Sequence, residues 1–337
     1  MADPRATIII PTLAAGEELR ACLDSLLRQS FDAFNIIIVD NSGRRAARLV
    51  APSDPRVTIH ESPRNLGFGA AINLGAKQSP APYIATLNDD AIAAGDWIAS
   101  LVEALDRTPS AGMAASRVRL SGTSTLDSAG MLLCPDGSSK QRGHRKPESA
   151  HPREEEVLCP SGSAALYRRE LFDTLGGFDE DFFLYCEDSD LGLRARWAGW
   201  ICLYVPAALV DHHYSHSAGR ASRLKAYLVE RNRLRLAVKT FPAAMLWRVP
   251  FASLARYWAH LGSIRSGNGA AAEFTRSGDG PLSLAWFVIK AHLALLPALP
   301  RLLAARRRIR RQARISPQAF AALAARFAIS PKQVAAQ

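Results

Sequence analysis

Over about the first hundred residues, short apolar runs alternate with amphipathic stretches. The runs at residues 7–11, 35–40, 56–61 and 83–88 predict strands, and the stretches at 17–29, 68–77 and 96–107 predict helices. That order is the pattern of βαβ units around a parallel sheet, hence an α/β class. Ligands of open α/β sheets bind beyond the carboxyl ends of the strands. Pro11-Thr12, Asp40-Asn41-Ser42 and Asn88-Asp89-Asp90 each sit at such an end, so one cleft is expected to collect all three.

From residue 121 to 156 the chain turns polar and rich in Gly, Ser, Pro and charge, which predicts an irregular excursion or mobile loop. Order resumes near Cys159 with Ser161-Gly162-Ser163, a helix at 168–175, Gly176-Gly177-Phe178-Asp179, Glu187-Asp188-Ser189-Asp190, a helix to Ala198 and a strand at 201–205. Beyond Ala218 come basic helical patterns, a hydrophobic stretch at 281–300 and the run Arg306-Arg307-Arg308-Ile309-Arg310-Arg311. The expected division is a catalytic body over 1–240, with halves at 1–120 and 158–240, followed by a helical, basic and partly hydrophobic extension over 241–337.

Composition sharpens this picture in two places. With 48% hydrophobic and 22% charged residues among 337, the chain has a core's worth of apolar side chains, which excludes disordered and fibrous classes. Its net charge of +11 is unevenly spread: residues 1–218 hold 21 Lys+Arg against 28 Asp+Glu (−7), and residues 219–337 hold 21 against 3 (+18). An acidic body with a basic C-terminal third suits an anionic partner for that third. Five scattered cysteines without a C-x-x-C pair, and an N-terminus lacking a signal-peptide core, predict a reducing, cytoplasmic setting.

Three clusters carry candidate chemistry. Asp89-Asp90 at a strand end either caps a helix or supplies the one or two carboxylates that Mg²⁺ or Mn²⁺ takes when substrate phosphates complete its shell. Glu187-Asp188-Ser189-Asp190 precedes a helix that Ser189 or Asp190 would cap. The same crowding by like charge raises a carboxylate's pKa and suits it to general-base work. Two carboxylates alone also fit a glycoside hydrolase, which needs no second cluster for a diphosphate. Asp211-His212-His213-Tyr214-Ser215-His216 follows a predicted strand and offers imidazole to a metal. Asn65-Leu66-Gly67-Phe68-Gly69 matches neither common phosphate-loop pattern and predicts a tight strand-to-helix connection at cleft depth.

In their order and spacing these blocks resemble the family 2 glycosyltransferases of the GT-A fold, particularly the bacterial rhamnosyltransferase-like branch. The resemblance is carried by Thr7-Ile8-Ile9-Ile10-Pro11-Thr12, Ile38-Val39-Asp40-Asn41-Ser42, the segment from Asn65 to Asn73, Leu87-Asn88-Asp89-Asp90, the segment from Gly176 to Leu191 and Glu230-Arg231-Asn232-Arg233, over roughly 70% of the chain. It implies a Rossmann-like nucleotide-binding sheet flanked by helices and a metal-dependent, inverting transfer of a sugar, by first guess rhamnose from dTDP-rhamnose, to a cell-surface glycan or lipid-linked acceptor. Pro11, Thr12 and Asp40 would line the nucleoside pocket, and Asn88-Asp89-Asp90 stands where the family has its D-x-D motif, with Asn88 replacing the first Asp. By the same resemblance Asp90 and His212 are the metal ligands, with His213 the alternative, and Asp188 is the catalytic base with Glu187 beside it. Asn41, Asn65, Gly67, Asn73, Asn88, Asp89 and Asp190 complete the expected substrate contacts.

Two rival classes are tested by the same features. A nucleic-acid-binding protein would interleave aromatics with its basic residues, and the 306–314 region does not. A nucleotidyltransferase has no use for the 187–190 carboxylates. The apolar stretch at 281–300 followed by arginines predicts peripheral attachment to an anionic membrane from the cytoplasmic side. Lys290, His292, Pro297 and Pro300 interrupt any spanning helix.

Overall fold

In the computed structural model, which describes residues 3–213, 222–267, 269–276 and 280–336, the apolar runs become inner strands of a sheet. Its strands are β1 (Ala6–Thr12), β2 (Phe34–Asp40), β3 (Val57–Glu61), β4 (Tyr83–Leu87), β5 (Ala91–Ala93), β6 (Ala111–Leu120), β7 (Leu126–Ser128), β10 (Glu155–Val157), β11 (Ala164–Arg168) and β12 (Ile201–His212), and a separate hairpin pairs β8 (Met131–Leu133) with β9 (Ser139–Gln141). Among the described residues the sheet has ten strands, in the order β10-β12-β6-β11-β4-β1-β2-β3, with β5 added to β12 and β7 to β6. Ile8, Ile9, Ile10 and Ile36, Ile38, Val39 are wholly buried, as expected where both faces of a parallel sheet are covered. Strands β4, β1, β2 and β3 run parallel, and β11 is antiparallel to its neighbours β4 and β6.

The covering helices obey the helical period. Helix α1 (Glu17–Leu27) buries Leu19, Cys22, Leu23 and Leu26. Helix α2 (Phe68–Ala76) follows the Asn65-Gly67 turn, and α3 (Trp97–Arg107) buries Trp97, Ile98, Leu101, Val102 and Leu105. The Trp97 indole N–H, buried with its ring, donates to Ser116 Oγ at 2.9 Å and so avoids the cost of an unpaired polar group. Helix α4 (Arg169–Leu175) leads into the Gly176-Gly177 turn, and α5 (Glu187–Trp197) begins at the acidic run.

Three expectations are corrected. Residues 121–156 are not an irregular loop: they hold β7, β8, β9, the start of β10 and a short 3-10 turn at Glu148–Ala150. Their polar sequence reflects short strands at an edge and in a hairpin, which need few apolar residues. The strand foreseen at 201–205 continues to His212, after a bulge between Val205 and Leu209, a break that ends the apolar alternation early. Neither Ser189 nor Asp190 caps α5, because the helix already starts at Glu187.

The chain divides into two compact units: residues 1–131, 141–195 and 200–217 form the one that holds the sheet, and residues 132–140, 196–199 and 218–337 form the other. The second is helical, with α6 (Arg223–Thr240), α7 (Ala243–Leu246), α8 (Val249–Ser266), α9 (Ala270–Arg276), α10 (Pro281–Leu293), α11 (Leu299–Gln312), α12 (Pro317–Arg326) and α13 (Pro331–Ala336). Trp197 stacks on Phe320 at 4.3 Å between ring centroids, and the Arg310 guanidinium lies 3.5 Å from the Trp197 centroid. The same unit encloses an ionic cluster. Glu230 accepts from Arg233 Nε at 2.9 Å and from Arg256 Nη2 at 2.6 Å, Tyr257 donates to Glu230, and Arg256 also reaches Asp136. All five side chains but the partly exposed Tyr257 are buried, so each charge depends on its partners.

Candidate active site

The strand order creates the site. After β1 the chain adds β2 and β3 on one side and then crosses to place β4 on the other, which opens a crevice at the carboxyl ends of β1 and β4. Thr12 ends β1 and Asn88-Asp89-Asp90 follows β4, while Thr12 and Asp40 are register partners on β1 and β2. The three polar signals therefore meet at one edge. Thr12 Oγ1 donates to Asp89 Oδ2 at 2.6 Å and accepts from Ala15 N at 3.1 Å. Pro11 is partly buried beside it. Asp40 is enclosed, its two oxygens accepting from Ser42 N and Ala47 N at 2.8 Å each. Burial would raise its pKa, but these bonds outweigh burial and hold it low.

Asp89 and Asp90 cap no helix, since α3 starts at Trp97. Instead they differ in surroundings. Burial, then the neighbouring Asp90 charge, push Asp89 up to about 6 against the bond from Thr12. Asp90 is also buried, yet the hydrogen bond from His212 brings its pKa below the usual value. His212 Nε2 lies 3.2 Å from Asp90 Oδ1 and 3.1 Å from Asn88 Nδ2, and its Nδ1 lies 2.8 Å from Asp127 Oδ2. Burial alone would lower the His212 pKa, but the bonds to Asp127 and Asp90 raise it to about 10. His144 Nδ1 lies 3.2 Å from the other Asp127 carboxylate oxygen and 3.2 Å from the Asp127 backbone carbonyl. His213 donates its backbone N–H to the Asp90 carbonyl at 3.1 Å while its ring Nε2 lies 3.1 Å from Ser121 Oγ, and Tyr214, Ser215 and His216 lie outside the described residues.

Asp90 and His212 present a carboxylate oxygen and an imidazole nitrogen within 3.2 Å of each other. That donor set suits a divalent cation whose other positions go to water and phosphate oxygens. Among the described residues no three of His, Cys, Asp and Glu converge on one point.

The acidic run is linked to this edge through residues 162 and 163. The Ser163 carbonyl accepts from Asn88 N at 2.9 Å, and the adjacent Gly162 N–H donates to Asp188 Oδ2 at 3.0 Å. Asp188 also accepts from Ser189 N at 2.6 Å, while burial raises its pKa. Burial and then the Asp188 charge raise Glu187 to about 8, so Glu187 is mainly protonated at pH 7. Asp190 is fully enclosed and ion-paired to Arg194 at 2.7 Å; its carboxylate faces the interior.

The remaining expected contacts are loop ties. Asn65 Oδ1 accepts from Gly67 N at 2.8 Å, and Asn41 Nδ2 donates to Gly67 O at 3.3 Å. Gly67 has φ +83°, and a Cβ there would lie 2.2 Å from the Phe183 carbonyl oxygen, so only glycine fits. Asn73 bonds the backbone of Phe178 in both directions, at 2.8 and 2.9 Å. The loop so gripped carries three left-handed non-glycine residues, Phe183 (φ +63°), Tyr185 (+70°) and Cys186 (+68°), directly before Glu187. Such residues cost about 1 kcal/mol or more each and gather where geometry is functional.

Sequence reasoning missed Asp127, because it lies inside the segment read as irregular. It also missed Arg119, whose guanidinium grips Asp211 at 2.8 and 2.9 Å and so fixes β12 next to His212. An Asp-x-x-x pattern in a polar stretch carries no signal of its own. Only pairing with β6 brings Asp127 to His212.

Residues 7–176 match the family described as Glycosyl transferase family 2, and residues 153–303 match Glycosyl transferase family group 2. Over 246 residues, 65% of this chain and 80% of the relative, the sequence is 32% identical to the N-acetylglucosaminyl-diphospho-decaprenol L-rhamnosyltransferase of Mycobacterium tuberculosis. In fold the chain is similar to the crystal structure of GalNAc-T7 with UDP, GalNAc and Mn²⁺ (TM-score 0.60, 14% identity, 76% of this chain and 51% of that one). It is also similar to the mannosyltransferase PcManGT from Pyrobaculum calidifontis in complex with GDP-Man and Mn²⁺ (TM-score 0.51, 18% identity, 88% of each).

Proposed function

Because the chain belongs to glycosyl transferase family 2, we propose that this glycosyltransferase moves rhamnose from dTDP-rhamnose to a hydroxyl of a lipid-linked acceptor, with inversion at the anomeric carbon. Support for the sugar and acceptor comes from the M. tuberculosis relative, whose name gives both an L-rhamnosyl transfer and a diphospho-decaprenol acceptor. The single observation that carries the mechanism is the bonding through residues 162 and 163, which puts Asp188 and Asn88-Asp89-Asp90 at one strand edge.

In this reading Thr12, Asn88 and Asp89 bind the nucleotide part of the donor, and Asp90 with His212 Nε2 would hold Mg²⁺ or Mn²⁺ against the diphosphate. When bound, the cation supplies charge neutralisation for the departing nucleoside diphosphate. Asp188 accepts the proton of the acceptor hydroxyl as that oxygen forms its bond to the anomeric carbon and the carbon–phosphate-oxygen bond breaks. Glu187, neutral at pH 7, donates a hydrogen bond and orients the acceptor or a nearby backbone group. Asp190 and Asn73 hold the loop and α5 in place. The C-terminal unit attaches the enzyme to the cytoplasmic face of the membrane, where a lipid-linked acceptor resides; among the described residues no helix is long and apolar enough to cross it.

The test is a product assay. The chain is incubated with dTDP-rhamnose, UDP-sugars or GDP-sugars, Mn²⁺ and a diphosphoprenyl-linked N-acetylglucosamine, and the released nucleotide is identified. Release of dTDP coupled to a rhamnosylated lipid is expected; transfer only from UDP- or GDP-sugars would overturn the donor assignment.

A further inference from the structure

Helix α8 is built inside out. Its inner side is polar: Arg256 is buried against Glu230 and Asp136, and Ser253 Oγ accepts from Arg233 Nη1 at 3.1 Å. Its outer side is apolar. Trp247, just before the helix, and Phe251, Leu254, Trp258 and Leu261 within it are each 47–72% exposed. Steps of four and three residues place all five on one helical face. A helix that buries ions and, together with the residue just before it, presents two tryptophans to its surroundings is matched to an apolar medium.

The same spacing recurs on α10 and the turn after it, where Leu282, Trp286, Ile289, Leu293 and, beyond the helix, Leu296 are 52–87% exposed. Helix α9 packs on α8, and its Phe274 meets Phe287 of α10 edge to face at 6.4 Å, so both striped helices belong to one packed group. Exposed basic residues accompany the stripes: Arg248 and Arg265 flank the one on α8, and Lys290, Arg301, Arg307, Arg308 and Arg311 lie on or after α10. Residues 219–337 carry +18 overall.

We propose that α8 is the membrane-inserting helix of this enzyme, its Trp247, Phe251, Leu254, Trp258 and Leu261 face lying in the interfacial layer of an anionic bilayer. The inference rests on the peripheral attachment proposed above and names the element responsible, which the sequence stretch at 281–300 does not include. Charge selects the partner. A second copy of the chain would bring another strongly basic surface, whereas anionic headgroups complement the arginines and the acyl boundary accepts the stripe. Tryptophan suits that layer because its ring is apolar and its N–H reaches water.

Flotation of the full chain with vesicles tests this. Wild-type protein should float with phosphatidylglycerol-containing vesicles and weakly with pure phosphatidylcholine. Phe251→Glu with Trp258→Glu should reduce the floated fraction about tenfold or more, and Trp286→Glu should reduce it less. Thermal melting checks that each variant folds; if the Glu pair melts early, Phe251→Gln with Trp258→Gln replaces it. Quenching of tryptophan emission by brominated acyl chains should weaken in Trp258→Phe. If wild type floats and the α8 variants float equally, the assignment to α8 is overturned while peripheral attachment stands. If wild type does not float, attachment itself fails. Concentration-dependent dimers in light scattering that the α8 variants abolish, without vesicle binding, would make this face a subunit interface instead.

Discussion

The Asp127 carboxylate lies 2.8 Å from Nδ1 of His212 and so turns the opposite ring nitrogen toward Asp90. A carboxylate behind a ligating histidine fixes its orientation and strengthens it as a donor. Asp127→Asn should therefore weaken Mn²⁺ binding about 10- to 100-fold, with metal-free nucleotide binding preserved. Titration calorimetry with dTDP present measures it, and an unchanged Mn²⁺ affinity would remove Asp127 from the site.

Metal binding should also depend on pH. In the metal-free chain the His212 pKa is raised from 6.5 to about 10. The stability from its two bonds is thus complete below pH 6.5 and lost as pH rises through 10. A cation on Nε2 must displace that proton, so affinity should grow by up to about tenfold per pH unit across pH 6 to 8. Calorimetry in buffers of different ionisation enthalpy should detect the released proton. Asp90→Ala should abolish both this binding and transfer, and full activity in EDTA would exclude a metal role.

The two leading carboxylates of α5 should separate by substitution. Asp188→Asn keeps shape and removes basicity, so turnover should fall by on the order of 10²–10⁴ with donor affinity retained. Glu187→Gln replaces one neutral group with another at pH 7 and should cost much less. Near-normal turnover in Asp188→Asn with a dead Glu187→Gln would reverse the assignment.

Glu187 makes a stability prediction of the same sign as that of His212, in a lower pH window. Its folded pKa is about 8 against an ordinary 4.5. As pH rises from 4.5 toward 8 the unfolded chain ionises this group and the folded chain resists, so stability falls across that window. Glu187→Gln removes the effect. The variant's melting temperature relative to wild type should climb from pH 5 to pH 8, and a difference that stays flat would show that Glu187 is not held protonated.

Within the C-terminal unit, Glu230→Gln leaves Arg233 and Arg256 buried with Asp136 as their remaining carboxylate. Breaking a buried pair in this way costs about 3–5 kcal/mol, readable as a shifted denaturation midpoint. The arginines overcome burial and depress both Glu230 and Asp136 below their ordinary values. Their contribution is therefore present above about pH 4 and is lost on acidification through the depressed values.

The nucleotide-side half of the fold was legible because parallel strands buried on both faces announce themselves as apolar runs, Ile8-Ile9-Ile10 above all. The strand-end residues Thr12 and Asn88-Asp89-Asp90 were legible with them. Asp127 and the hairpin at 131–141 were not, since short edge strands bury little and their partners are distant in sequence. The left-handed residues before Glu187 gave no warning either: Phe, Tyr and Cys are ordinary letters, and only tertiary constraint forces them there. The α8 stripe was hidden by its arginine. Arg256 in its middle reads as a solvent face, yet it is buried and the tryptophans are exposed.

The loop from Phe183 to Cys186 sets robustness and aim at odds. Glycine at Tyr185 or Cys186 would sit more comfortably at φ near +70° and would relieve that strain, while loosening the unfolded chain as well. It would also let the start of α5 wander, and with it the carboxylate proposed to meet the acceptor. Relaxing these positions would therefore exchange backbone strain for a less fixed start of α5, and so for a less fixed Asp188.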